Sequence, residues 1–394
     1  MQIKTYNNQT ITIDLEYSGG NLVALPALVD PHVHFRIPGD QEKEDWHTAE
    51  QAAIAGGYTT VFDMPNNIPS TTNRETLEHK KSVIQDLFDD SQVHINYKLW
   101  LGATTENLKD IEDLKNEILG IKLFMGSSTG SLLVDKKANQ AKIFELAGKL
   151  GLVVGVHAED EKEMQKQKKK IGKTTDVTDH SKIRTPEVAK RAVTQAIELA
   201  TKYNTKLYIL HVSTKDELIL IDEAKRKGVQ VYAEVTPHHL FLNENDYASL
   251  GTKGQMNPPL RTLEHQDALW NGILDDIVDT IGTDHAPHTL EQKSQSYGHA
   301  PSGVPGIETC LPLLLDAHNK GRINLEKIVK LTRTNIENIF NIPSNNDWTI
   351  VDLDLIREVK NENLKTKCGW SPFDGKKLKG WPVATILNGT IYKC

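Results

Sequence analysis

The sequence predicts an α/β protein, a (β/α)8 TIM barrel with a small β domain formed by its N- and C-terminal segments. Three observations predict it. From residue 22 onward, eight short apolar runs alternate with amphipathic helical stretches. The alternation stops at both ends of the chain, where short β-type runs replace it. No G-x-G-x-x-G turn follows any run, which disfavours the other strand-helix alternation, an open doubly wound sheet.

The first run, Leu22 to Val29, continues into Asp30-Pro31-His32-Val33-His34-Phe35-Arg36 and reads as one buried strand ending in His-x-His. The others are Tyr58 to Met64, His94 to Leu101, Gly120 to Met125, Leu152 to His157, Lys206 to His211, Val229 to Val235 and Asp279 to Thr283. Among the intervening helices the clearest signal is Thr185-Pro186-Glu187. There an N-cap and a proline at the first helical position precede Val188, Ala189, Ala192, Val193, Ala196 and Ile197 on one face. At the ends, Ile11-Thr12-Ile13 and Ala384-Thr385-Ile386-Leu387 are of β type, and Asn388-Gly389 is a hairpin turn. Residues 1–22 and 343–394 are therefore expected to form the small β domain and residues 23–342 the barrel.

Composition narrows the function. A chain of 394 residues with 38% hydrophobic and 25% charged residues is ordinary for a globular protein of this size. A formal net charge of -7 disfavours nucleic acid or an anionic membrane as partner. The one basic run, Lys166 to Lys173, follows Glu159, Asp160, Glu161 and Glu163 and reads as a solvated helix face. Cys310, Cys368 and Cys394 show no pairing pattern, which fits a reducing compartment and offers no thiolate metal site. The N-terminus lacks the basic and apolar blocks of a signal peptide, and no apolar stretch is long enough to span a bilayer, so a cytoplasmic location is expected.

The ionisable residues fall at corresponding places. Alternate residues of a strand share a face, so His32 and His34 point the same way, with Arg36 as an anion-binding group beyond them. Lys122 lies in the fourth run, His157 closes the fifth, His211 closes the sixth, and Asp284 follows the eighth. In a barrel all of these meet at the C-terminal face. Four imidazoles and a carboxylate suit zinc, with manganese, cobalt or iron as substitutes, and their number points to two ions. A lysine buried among metals must be neutralised or modified; a neutral amine that captures carbon dioxide becomes a carbamate able to bridge two cations.

These residues, with Gly56-Gly57-Tyr58-Thr59-Thr60, Asp63-Met64-Pro65-Asn66-Asn67, Ile121-Lys122-Leu123-Phe124-Met125-Gly126, Gly155-Val156-His157-Ala158-Glu159, His211-Val212-Ser213, Glu234-Val235-Thr236-Pro237-His238-His239, Asn257-Pro258-Pro259-Leu260-Arg261 and Gly282-Thr283-Asp284-His285-Ala286-Pro287-His288, form an ordered set along nearly the whole chain. The set resembles the cyclic amidohydrolases, and within them the dihydroorotases of the longer, bacterial type. The resemblance implies two zinc ions, one held by His32, His34, carbamylated Lys122 and Asp284, the other by Lys122, His157 and His211. It implies that Arg36, Asn66 and His288 bind a substrate carboxylate, and that Asn257 and backbone groups near Gly303 bind the ring amides. The implied reaction is the reversible zinc-dependent cyclisation of N-carbamoyl-L-aspartate to dihydroorotate in pyrimidine biosynthesis, with Asp284 carrying the proton. Formation of a homodimer, and the association with aspartate transcarbamoylase found in some relatives, are left open by the sequence.

One departure from the family pattern is Arg36-Ile37-Pro38-Gly39, where close relatives often have Glu after the Arg. Of the paired histidines His238 and His239, one is expected to face the site and the other the wall, and His285 is expected to be structural. His47, His79, His94, His180, His265, His299 and His318 are assigned no role. The rival activities are those of hydantoinases or dihydropyrimidinases and of allantoinases, whose substrates lack the carboxylate that Arg36 would read. A more distant alternative is a non-catalytic amidohydrolase-like scaffold, whose signature would be lost ligands.

Overall fold

The computed structural model describes residues 1–89, 93–128 and 132–394. Leu28–Val33, Tyr58–Asp63 and Asn96–Leu99 pair as one parallel sheet. Leu101–Gly102, Ile121–Phe124, Val153–His157, Lys206–Ile209, Val231–Val235 and Thr280–Ile281 pair as a second. The third strand runs across Trp100 from one sheet to the other, and a parallel bridge between Val33 and His285 joins the last strand to the first. The two sheets are thus one closed barrel, and its strands are the eight runs expected from the sequence.

Period-two alternation sets which side chains point inward. In Val153–His157, Val154 and Val156 belong to the large core under the helices, while Val153 packs with the interior aromatic residues. The face that carries Val153 also carries Gly155 and His157. A Cβ on Gly155 would lie 2.9 Å from the Trp100 indole, so only glycine leaves room for that ring. Phe62, Trp100 and Tyr208 pack edge to face around Phe340, with centroids 5.2, 5.5 and 5.1 Å from its ring. They fill the barrel beneath the strand ends.

Some elements differ from the sequence reading. The run Leu22 to Val29 is not one strand. Leu22–Pro26 pairs with Trp348–Glu358 in a terminal sheet, Ala27 donates its N–H to Asp347, and Leu28–Val33 enters the barrel. Pro26 has no N–H with which to continue a ladder, and a run apolar throughout gives no period that would betray the break. The sixth strand stops at Ile209, two residues before His211, and the eighth keeps only Thr280–Ile281. Helix Pro186–Tyr203 buries the expected face except Ile197, which is half-buried. The Thr185 side chain makes no capping bond, so Pro186, whose missing N–H needs no partner, marks the start.

The terminal sheet has six strands in the order Thr390–Lys393, Lys377–Leu387, Trp348–Glu358, Leu22–Pro26, Gln2–Thr5 and Thr10–Thr12. Asn388 and Gly389 turn its hairpin, both at positive φ (50° and 81°). Residues 359–376, between two of its long strands, reach back to the barrel, where Trp370 Nε1 donates to the His288 carbonyl at 2.7 Å. Lysines 166, 168, 169 and 170 are exposed on helix Glu161–Ile171, as expected of a solvated face. Among the described residues no helix is long and apolar enough to cross a membrane.

Candidate metal centre and substrate pocket

The strand ends open into one pocket. Its walls include His32, His34, Arg36, Asn66, Lys122, His157, His211, Asn257, Asp284 and Gly303, with Phe124, Ser128, Ala286 and Ser302 between them. Ten of the eleven site residues expected from the sequence therefore share a pocket. The eleventh, His288, stands behind Arg36, with its Nε2 3.2 Å from Nη2 of that guanidinium.

The potential ligand atoms face one another in two groups. Nε2 of His32 and Nε2 of His34 lie 3.2 and 3.1 Å from Oδ1 of Asp284. Nδ1 of His157 lies 3.0 Å from Nε2 of His211. The opposite nitrogen of three of these rings is already engaged: His32 Nδ1 with Glu234 Oε1 at 2.8 Å, His34 Nδ1 with Asn66 Oδ1 at 2.7 Å, and His157 Nε2 with Glu159 Oε2 at 2.8 Å. An acceptor on one nitrogen keeps the proton there and leaves the other nitrogen's lone pair for a cation. Burial pushes the His34 imidazole down to about 3 and that of His211 well below its ordinary value, so both are neutral.

Lys122 sits beneath these groups, 1% exposed, in the fourth strand. Burial pushes its ammonium down to about 7 against the pull of Asp284 and Glu234. Among the described residues no carboxylate comes within ion-pair distance of it, and its Nζ lies 4.7 Å from the Phe124 ring centroid. Neutral imidazoles, a carboxylate and an unpaired amine, gathered without any thiol, are a donor set that fits divalent metal of the zinc class.

Three residues of the pocket hold backbone conformations that few side chains adopt. Arg36, His211 and Asp284 have φ of 65°, 42° and 46°, and among the described residues Arg36 and His211 alone adopt positive φ without being Gly, Asn or Asp. Such a conformation costs an L-residue roughly 1–3 kcal/mol and persists where the surroundings enforce it. For His211 it matters directly: beyond the end of the strand at Ile209, the turn and not strand alternation aims the imidazole at His157.

Arg36 is 4% exposed, and its Nε donates to the Pro287 carbonyl at 3.1 Å. Among the described residues it has no carboxylate partner, although Asp40, Asp284 and Asp63 exert a pull from farther away. Ile37, where relatives often carry Glu, is fully buried in the core beside Phe35 and Trp46, so the departure alters packing and leaves the guanidinium without a neighbouring acid. Asn66 has its Oδ1 on His34, so a contact of its side chain with a ligand must use the amide NH2. The N–H of Gly303 donates to the Gln255 carbonyl, and a Cβ there would sit 2.7 Å from the Ala286 oxygen.

The sequence reading missed the residues that hold the candidate ligands in place. Glu234, in the seventh strand and fully buried, accepts from His32, from the His211 N–H at 3.0 Å and from the Tyr208 hydroxyl at 3.0 Å. Gly282 leaves it room, since a Cβ there would meet Glu234 Oε2 at 2.5 Å. An acid inside the apolar run Val231-Tyr232-Ala233-Glu234-Val235 was the available signal. Glu159 bonds Arg184 as well as His157; burial alone would raise its carboxyl, but the guanidinium and His157 hold it at about 2. His238 is buried with Nε2 unpartnered, while His239 is bound between Thr236 and the Pro258 carbonyl. His285 is fully buried, its ring held between Glu44 and the Gly306 N–H.

Comparison with known proteins places the chain in a family. The model of the amidohydrolase family matches residues 23–390. A dihydroorotase from Methanosphaera stadtmanae is 35% identical over 94% of this chain and 85% of its own length. A dihydroorotase from Bacillus cereus is 37% identical over 94% of this chain and 87% of its own length. Among solved structures, an L-hydantoinase (dihydropyrimidinase) from Arthrobacter aurescens is similar, with a TM-score of 0.89 and 28% identity over 96% of this chain and 88% of that one.

The contact between Glu234 and His32 yields a prediction that needs no substrate. Replacing the carboxylate under a metal-binding imidazole weakens metal affinity by about 10- to 100-fold. Glu234→Gln should therefore release zinc to a competing chelator at correspondingly lower chelator concentration, with the circular dichroism of the fold retained. Unchanged zinc affinity in that variant would mean that Glu234 does not support a metal ligand.

Proposed function

The chain belongs to the amidohydrolase family, and from that premise we propose that it is a dihydroorotase, a hydrolase that opens the cyclic amide of dihydroorotate to N-carbamoyl-L-aspartate and closes it again in the biosynthetic direction. The observation that carries the reading beyond the family is Arg36. A guanidinium buried at a pocket wall with no carboxylate partner among the described residues calls for an anion from the ligand. Dihydroorotate brings a carboxylate; hydantoin and dihydrouracil rings do not. Similarity to the hydantoinase fold supports the chemistry of the ring, and Arg36 supports the choice of substrate.

In this reading Arg36 grips the carboxylate through its planar fork, its Nε held by the Pro287 carbonyl, with His288 behind it and the Asn66 amide beside it. Asn257 and the backbone near Gly303 hold the ring amides. Two zinc ions belong to the proposal, one on His32, His34, Lys122 and Asp284, the other on Lys122, His157 and His211. When bound, such ions supply Lewis acidity toward the ring carbonyl and lower the pKa of water. Lys122, as free amine, would add its nitrogen to carbon dioxide and release a proton, and the resulting carbamate would supply an anionic oxygen donor group for the metals. Asp284 takes a proton from the attacking water and delivers it to the ring nitrogen as the amide bond breaks.

Two substitutions test this. Arg36→Met should lower kcat/KM for dihydroorotate by roughly two orders of magnitude, the loss of a shielded charge-assisted pair. It should change turnover of neutral dihydrouracil little and leave metal content intact; equal losses on both substrates would remove Arg36 as the carboxylate reader. Lys122→Ala should abolish turnover, and added short carboxylic acids should restore part of it by standing in for the carbamate. An alanine variant that kept two tightly bound metals and full activity would rule out the bridge.

A further inference from the structure

His180 stands behind the substrate pocket, not in it. It lies in the short helix Asp179–Ile183 and is 4% exposed. Its Nδ1 is 3.2 Å from the Tyr297 hydroxyl. Its Nε2 is 2.9 Å from the Met256 carbonyl oxygen and 3.0 Å from Oδ1 of Asn257. A backbone carbonyl can only accept, so Nε2 must carry a proton. Burial, with the nearby Arg184, pushes this imidazole down to about 3, so the ring is neutral and Nδ1 accepts from the Tyr297 hydroxyl.

That tautomer settles a choice that side-chain geometry alone leaves ambiguous. The oxygen and nitrogen of an asparagine amide have nearly the same shape, and their assignment follows from the hydrogen-bond network. Because Nε2–H donates, the atom of Asn257 that faces it is the amide oxygen. The NH2 then turns toward the pocket, where it lies 3.5 Å from the Ser128 hydroxyl. The neighbouring residue is held too: His239 Nε2 is 3.1 Å from the Pro258 carbonyl oxygen. Two buried imidazoles thus hold Met256, Asn257 and Pro258, and of the two only His180 reaches the Asn257 side chain.

We propose that His180, braced by Tyr297, is a positioning residue that locks the Asn257 amide with its NH2 toward the substrate, so that Asn257 donates to a ring carbonyl oxygen and does not accept from a ring N–H. The inference rests on the dihydroorotase reading for the identity of the ring. It rests on the contacts of His180 alone for the polarity of the contact. A histidine that merely filled space would leave the amide free to present either group.

The test compares His180→Phe, which keeps a ring but removes the donor, with His180→Gln, which restores an N–H. With dihydroorotate as substrate, His180→Phe should raise KM by about 10-fold while kcat stays within about 3-fold, the pattern of a lost binding contact. His180→Gln should recover most of the lost affinity, and zinc content should be unchanged in both. An unchanged KM in His180→Phe, or the same loss in the Phe and Gln variants, overturns the proposal. Nitrogen NMR of the wild-type imidazoles gives a readout free of activity: the resonance that disappears in His180→Gln should be that of a neutral ring protonated at Nε2. A ring protonated at Nδ1, or at both nitrogens, overturns the orientation argument. Absence of dihydroorotate turnover in the wild type, with the Nε2 tautomer present, would sink the activity reading and leave the orientation of Asn257 standing.

Discussion

Asp30 clasps the first barrel strand to the last. Its Oδ1 accepts from the Thr283 N–H at 3.0 Å and from the His32 N–H at 3.2 Å, and its Oδ2 accepts from the Thr283 hydroxyl at 2.5 Å. Asp30 is fully buried, and burial pushes its carboxyl up to about 7 against these three bonds. A group so desolvated is tolerable only while its partners stay in place, so the clasp holds the barrel shut at one register. Thr283 precedes Asp284, and Asp30 lies two residues before His32. Closing that seam therefore brings the aspartate after the last strand against the two histidines at the end of the first, of which His34 lies 250 residues away in sequence.

The rest of the top face can be understood as two unmet electrostatic demands set side by side. Toward the barrel axis, neutral imidazoles with their outer nitrogens tied to Glu234, Asn66 and Glu159 present lone pairs that only cations satisfy. Toward the mouth, Arg36 presents a positive charge that only an anion satisfies. Either alone would destabilise the fold without return. Together they specify a ligand with a metal-seeking amide at one end and a carboxylate at the other, and the residues that enforce both demands sit in left-handed turns at Arg36, His211 and Asp284.

The alternation of apolar runs and helices made the barrel legible, and strand ends made the cluster of pocket residues legible, because both follow from periodicity along the chain. What escaped depends on contacts between distant segments. The break at Ala27 falls inside a run that is apolar on both sides of it, so no change of period marks it. Glu234 and Glu159 could be seen as acids near histidines, but their bonds to His32 and His157 exist only once the strands are adjacent. His180 carries no signal in the sequence, since nothing local distinguishes a ring that grips residues 76 and 77 positions away. Ile37 in place of the family's frequent Glu raised a question about Arg36 that the buried core beside it answers.

The central claim is that a metal-dependent ring-opening site has been given its substrate by one buried guanidinium. It is tested most directly by measuring kcat/KM of the zinc-loaded wild-type protein for dihydroorotate, dihydrouracil, hydantoin and allantoin in parallel. A charge-assisted, shielded carboxylate contact is worth a few kcal/mol, so dihydroorotate should lead the neutral rings by about 100-fold or more. Turnover of hydantoin, dihydrouracil or allantoin equal to or faster than that of dihydroorotate would contradict the account.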